Sequence, residues 1–237
     1  MIWRRKNFLE IGTENYKESN TRFLLINRNW NGFIVEANKF SVKQIKSQKI
    51  YWKYNLVVFN KFITRDNVNQ IVKNLKIPKK IGLLSLDIDG VDYWVLKNLS
   101  ELKPSIIICE FNSLFGNIRS VTVPYKANFN RSKEHYSNLY YGASIMAFIK
   151  LMKKKNYFFV GTNSAGNNAF FVNKNIWNII KKQVINNKIF TSKFRESRSK
   201  SYKLTFLNKR KSLDLIKNKI VFDLDKKCKK KIRDLNL

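Results

Sequence analysis

Three short apolar runs in the first ninety residues each stop at acidic side chains: FLEIG over Phe8–Gly12, VEAN over Val35–Asn38 and LLSLDIDGVD over Leu83–Asp92. A strand with one wet face would alternate apolar and polar residues. Unbroken apolar runs suit strands buried on both faces of a parallel sheet. Open α/β sheets bind ligands beyond the carboxyl ends of their strands, so acids at those ends mark one functional rim.

The rest of the chain extends this order. Strands are expected at Asn7–Ile11, Gly32–Glu36, Asn55–Phe59, Leu83–Ile88 and Ser105–Phe111. Helices fall between them: Ser19 or Asn20 caps one that runs to Arg28 with Phe23, Leu24 and Ile26 as its apolar face. The others span Phe40–Ser47, Asp66–Leu75 and Val91–Leu102. Residues Asn112–Tyr141 form a long irregular segment of the kind that supplies lids and binding loops. Ser144 caps an apolar helix to about Lys155. Tyr157–Val160 and Ala169–Val172 are too close for a crossover helix, so they predict an antiparallel hairpin. Alternating strands and helices predict a doubly wound α/β sheet over residues 1–175. Residues 176–237 then form a basic C-terminal extension packed on it, with helices at Ile176–Ile185 and Ser212–Asn218 and an apolar run at Ile220–Leu224.

Composition narrows the class. The chain has 237 residues, 44% of them hydrophobic and 14% aromatic, which supports a real core. No apolar run approaches the roughly 20 residues of a membrane span, and the start, MIWRRKNFLEIG, has no apolar stretch typical of a secretory signal. A cytoplasmic protein is the default. Cys109 and Cys228 make no disulfide framework, and one histidine, His135, gives no zinc site. The net charge is +31, densest at Lys150–Lys155, Lys193–Lys211 and Lys226–Lys231. Such a surplus fits an anionic partner such as nucleic acid or a membrane surface. The abundance of Lys, Asn, Ile, Phe and Tyr beside scarce Gly and Pro fits codon bias as well, and then only weak, non-specific binding follows.

Chemistry concentrates on the rim. The glycine loop after the first strand, G-T-E-N-Y-K-E, would leave backbone N–H groups free for an anion. It lacks the GxGxxG of dinucleotide sites, so a smaller anion such as a carboxylate suits it better. Glu36, about 20 residues on, stands where an acid accepts both ribose hydroxyls. Asp87 and Asp89 could bind Mg²⁺, act as a phosphatase's nucleophile and acid, or grip a cofactor and meet a substrate. The phosphatase motif normally opens its domain, whereas three strands precede this pair. Glu110 and Asn112 end the fifth strand on the acceptor side. Tyr141 and the loop GTNSAGNN, with Asn163, add polar groups, although asparagines there are mostly turn formers.

Together FLEIG, VEAN and LDIDGVDYWVLKNL–ELKPSIIICEFN, closed by the hairpin, resemble class I S-adenosylmethionine-dependent methyltransferases of the FkbM-like group over residues 7–173. The resemblance implies a seven-stranded Rossmann-like sheet with a C-terminal antiparallel hairpin. S-adenosylmethionine lies on the first half of the rim and the acceptor on the second. It matches Glu10 and Gly12 to the first cofactor motif, Glu36 to the ribose acid, Phe62 and Ile63 to the adenine wall, and Asp87 to the acid after the fourth strand. Such an enzyme, methylating oxygen of a small molecule or glycan, would draw its base from Asp89, Glu110 or His135 and needs no metal. The alternatives are a non-catalytic relative that binds an anionic polymer through its basic surface, and a Mg²⁺-dependent phosphatase or glycosyltransferase using Asp87 and Asp89.

Overall fold

The computed structural model describes residues 5–184, 188–192, 197–235 and 237. In chain order the elements are β1 (Asn7–Ile11), α1 (Arg22–Arg28), β2 (Asn31–Glu36), α2 (Lys39–Ser47), α3 (Lys49–Lys53), β3 (Leu56–Asn60), α4 (Val68–Asn74), β4 (Leu83–Leu86), α5 (Asp92–Asn98) and β5 (Ile106–Glu110). There follow β6 (Val121–Thr122), α6 (Arg131–Glu134), α7 (Ile145–Lys154), β7 (Tyr157–Thr162), β8 (Asn168–Asn173), α8 (Lys174–Ile180), α9 (Lys209–Ile216), β9 (Ile220–Asp223) and β10 (Cys228–Lys231).

Among the described residues, seven strands form one sheet in the order β3-β2-β1-β4-β5-β8-β7. The pairs from β3 through β5 are parallel, and β8 runs antiparallel to both β5 and β7. This is the expected Rossmann-like sheet with its terminal hairpin. The unbroken apolar runs have the cause inferred for them. On one face Leu9, Leu84, Ile107 and Cys109 pack with Val95, Leu96, Phe148 and Met152; on the other Phe8, Ile34, Leu83 and Ile108 pack with Leu25, Val42 and Ile45. No described helix is long and apolar enough to cross a membrane.

The departures are local. Helix α1 starts at Arg22, not after a Ser19 or Asn20 cap, and Thr21 at its N-cap makes no capping bond. Its buried residue is Leu25, and Phe23 is exposed. Ser19 still does part of the expected capping, its Oγ accepting from Thr21 N and Arg22 N while donating to Glu10, and Asn20 N donates to Glu10 as well. Ser144 does cap α7, accepting from Ala147 N. Helix α8 ends at Ile180, short of the expected Ile185, which lies outside the described residues, as do residues 193–196 of the second basic run.

A second sheet, β10-β9-β6, was not foreseen. The apolar run at Ile220 becomes β9, and the basic run Lys226–Lys231 supplies its antiparallel partner β10. Asp223 sets the turn between them by accepting from Asp225 N and Lys226 N through Oδ1. This sheet shares a buried cluster with the long segment after β5: Phe115, Val121, Val123 and Tyr140 pack with Ile216, Val221, Ile232 and Leu235.

Candidate active site

A cleft of about 1110 Å³ opens at the carboxyl ends of β1, β2, β4 and β5. Glu10, Gly12, Glu36, Phe62, Ile63, Asp87, Asp89, Glu110 and Asn163 all line it. Nine residues spread over 150 positions of sequence are thus gathered on one rim by the parallel register.

The loop after β1 is built differently from expectation. Gly12 has φ +76°, and a Cβ there would lie 1.7 Å from the Asp87 carbonyl oxygen. The glycine is therefore needed for the close crossing of β1's loop over the end of β4. The N–H groups expected to await an anion are already bonded. Gly12 N donates to Val35 O, and Thr13 N and Glu14 N both donate to Glu36 Oε2 at 3.0 Å. Glu36 Oε1 accepts from Asn38 N at 2.7 Å. Glu36 thus welds the first loop to the second. Glu10 ties the end of β1 to its own loop, accepting from Ser19 Oγ at 2.6 Å, Asn20 N at 3.1 Å and the Thr21 hydroxyl. Burial raises its pKa, and those donors oppose the rise. Phe62 stands 54% exposed in the cleft wall, while Ile63 is buried.

On the other half of the rim, Asp89 sits at φ 56° and pairs with Arg131 across 2.5 Å. The Arg131 guanidinium also stacks over Tyr141, 3.7 Å from the ring centre. Asp92, at the start of α5, fixes the turn that carries Asp89 by accepting from Ile88 N at 2.9 Å and Gly90 N at 3.0 Å. Burial pushes Asp92 up to about 6 despite those two donors. Asp87 and Glu110 are both held well above the usual carboxylate range by burial first; the charge of Asp89 comes next for Asp87 and that of Asp87 for Glu110, while the Arg131 charge opposes both shifts and a hydrogen bond to Glu110 opposes that of Asp87.

The remaining expected site residues are distributed elsewhere. His135 is not among the described residues lining the cleft; its Nδ1 meets Ser137 Oγ at 2.6 Å, and burial and then Lys219 lower its pKa. Asn112 and Tyr141 line a neighbouring cavity of about 430 Å³, walled on its far side by Ile189, Phe190 and Leu207. Asn112 is also a strut, donating to Leu139 O and Tyr141 O and accepting from Leu114 N. Asn163 Oδ1 accepts from Gly166, Asn167 and Asn168 N, the turn role weighed for it. Arg131 was not singled out from sequence. The one available signal is Asn130, an N-cap residue in a loop, whose side chain accepts from Lys133 N and sets the short helix that carries Arg131.

No protein-family model matches the sequence, and neither does any curated protein. Solved structures do match. The chain is 10% identical to the pyocyanin biosynthetic protein PhzM, over 73% of this chain and 52% of that one, with a TM-score of 0.44. For PKMT2 from Rickettsia typhi in complex with AdoHcy the values are 11%, 74%, 50% and 0.47. For an S-adenosylmethionine-dependent methyltransferase from Clostridium acetobutylicum ATCC 824 they are 11%, 70%, 83% and 0.43. The chain thus spans about half the length of PhzM and of PKMT2. The Rossmann-like assignment itself stands on the strand order of this chain.

Proposed function

We propose that the cleft binds S-adenosylmethionine and that the chain is a methyltransferase acting on an oxygen of a small molecule or glycan. The observation that carries this is the cleft's position: it crosses the carboxyl ends of β1, β2, β4 and β5 in a sheet whose hairpin strand β8 alone runs against the rest. The residues fit the cofactor. Glu36 Oε1 has one donor, Asn38 N, and so keeps acceptor capacity for a ribose hydroxyl. Phe62 offers an exposed ring, with Ile63 behind it, as an adenine wall. Glu10 and Gly12 serve by shaping the loop, and Asp87 lies where the two halves of the rim meet.

The cofactor, when bound, supplies an electrophilic methyl group. The chain's task is to align the acceptor and take up its proton. Asp89 and Glu110 stand on the acceptor half, and Arg131 orients Asp89. The cavity beside them, bounded by Asn112 and Tyr141, would take the rest of the acceptor. Calorimetric titration with S-adenosylmethionine and its demethylated product tests the reading. One saturable site for each is expected; absence of both refutes it.

A further inference from the structure

Two buried oxygens on the acceptor half of the cleft have no hydrogen-bond partner: Oε2 of Glu110 and Oδ1 of Asn168. Each residue is 8% exposed, and each lines the cleft. They lie directly opposite one another in the β5–β8 pair, so both side chains project to the same side of the sheet. A buried acceptor without a donor is costly, and more so if charged. Native proteins seldom leave two of them together without a ligand or water between.

The surroundings add further acids. Leu86 pairs with Cys109, so Asp87 comes next to Glu110 along the rim. Oxygens of Asp87, Asp89 and Glu110 all fall within 4.8 Å of one another. Arg131, bonded to Asp89, brings a guanidinium whose charge also reaches Asp87 and Glu110. The groups facing the gap are carboxylate and amide oxygens, the donor set of hard divalent cations.

We propose that Asp87, Asp89, Glu110 and Asn168 form a binding site for a divalent cation of the magnesium or manganese class. Its charge adds to that of Arg131 in offsetting the three acids, and its coordination gives the two orphaned oxygens a partner. The role of the ion, though not its existence, depends on the transfer reading above: it would hold the acceptor oxygen at the rim and favour its ionised form. The acid cluster would then act on the acceptor through the ion rather than as a free base.

Titration of the whole chain with MnCl₂, followed by loss of the free-ion paramagnetic signal, should show about one ion per chain with a dissociation constant below about 1 mM. Asp87→Asn and Glu110→Gln should each weaken uptake roughly tenfold or more. Asn168→Asp, which adds charge at the same position, should tighten it. Removing a carboxylate relieves repulsion, so the first two variants should fold; a Mn²⁺-dependent rise in melting temperature seen in the parent and lost in both is the second readout. No uptake at about 1 mM, or uptake unchanged in both variants, overturns the site and leaves the carboxyls sharing a proton. Calorimetry with S-adenosylmethionine in EDTA separates the two readings. Cofactor binding without Mn²⁺ uptake removes the ion site alone. Mn²⁺ uptake without cofactor binding removes the transfer reading alone.

Discussion

Replacing Glu36 by Gln keeps its shape and removes its charge, so it isolates what the carboxylate does. Three backbone N–H groups converge on it, from Thr13, Glu14 and Asn38. A glutamine has one carbonyl oxygen and one amide nitrogen, and the nitrogen can only donate. If the oxygen keeps Thr13 and Glu14, the amide is turned against Asn38 N. One charge-assisted bond is then lost, worth roughly 1.5–3 kcal/mol, and the other two become neutral and weaker. The sum is a destabilisation of about 2–4 kcal/mol. On the proposed function the loops it joins form the cofactor half of the rim, so affinity for S-adenosylmethionine should fall about ten- to a hundredfold as well. Urea unfolding at neutral pH, read as a shift in midpoint at constant slope, measures the first effect, and calorimetry measures the second. A variant within about 0.5 kcal/mol of the parent would refute the assignment of Glu36 as the weld between the loops.

Gly12→Ala places a methyl group against the Asp87 carbonyl at a positive φ, so the first loop must lift from β4; cofactor affinity should drop below detection, with a melting temperature several degrees lower. Normal binding in this variant would remove the close crossing from the argument. Asp92 has a raised pKa in the folded state, so its contribution to stability is present below about pH 4 and lost as pH rises through about 6. Relative to the parent, Asp92→Asn should therefore gain about 3 kcal/mol between pH 4 and 7.5 in paired urea titrations with EDTA present; a flat difference contradicts this. Gln at Lys226, Lys227, Lys229 and Lys231 spares Lys230, which holds Asp223 at 3.3 Å. It should weaken a nucleic-acid affinity of roughly 10⁻⁴–10⁻⁶ M that already collapses with salt. A salt-resistant, nanomolar complex lost in that variant would show a specific polymer partner.

The sheet was legible because its strands carry their own evidence. Phe8–Ile11, Leu83–Leu86 and Ile106–Cys109 are apolar at nearly every position, and only burial on both faces accounts for that. Strand-end acids were legible for the same reason, since an acid closing such a run has few other places to be. The errors come where a distant partner decides. Ser19 reads as the N-cap, yet Thr21 takes that position, and Ser19 reaches Arg22 N from farther out while its hydroxyl also donates to Glu10. The loop N–H groups read as vacant until Glu36, 23 residues on, reaches Thr13. Cys-Lys-Lys-Lys at β10 has no apolar alternation at all; its pairing is imposed by Asp223 and by the buried Ile232 that follows. Arg131 is one cation among many in the sequence and becomes distinctive only through Asp89 and Tyr141.

The small sheet has a consequence for when the site comes into being. Strand β6 finds its partner β9 a hundred residues later. The wall carrying Phe129, Asn130 and Arg131 is tied down by that late stretch: Tyr140 donates to Ile220 O, Lys219 donates to Glu134 O, and Trp94 packs edge-on against Phe222. During synthesis the parallel strands and the cofactor loops can assemble first, from contacts already available. The wall that carries Arg131 must wait for residues 219–232 to leave the ribosome, and until then Phe115, Val121 and Tyr140 lack the partners that bury them. A nascent chain would thus complete the half of the cleft around Glu10 and Glu36 before the half walled by Arg131. A ribosome-stalled or truncated product ending near residue 180 would be a sticky, half-built binder rather than a smaller enzyme.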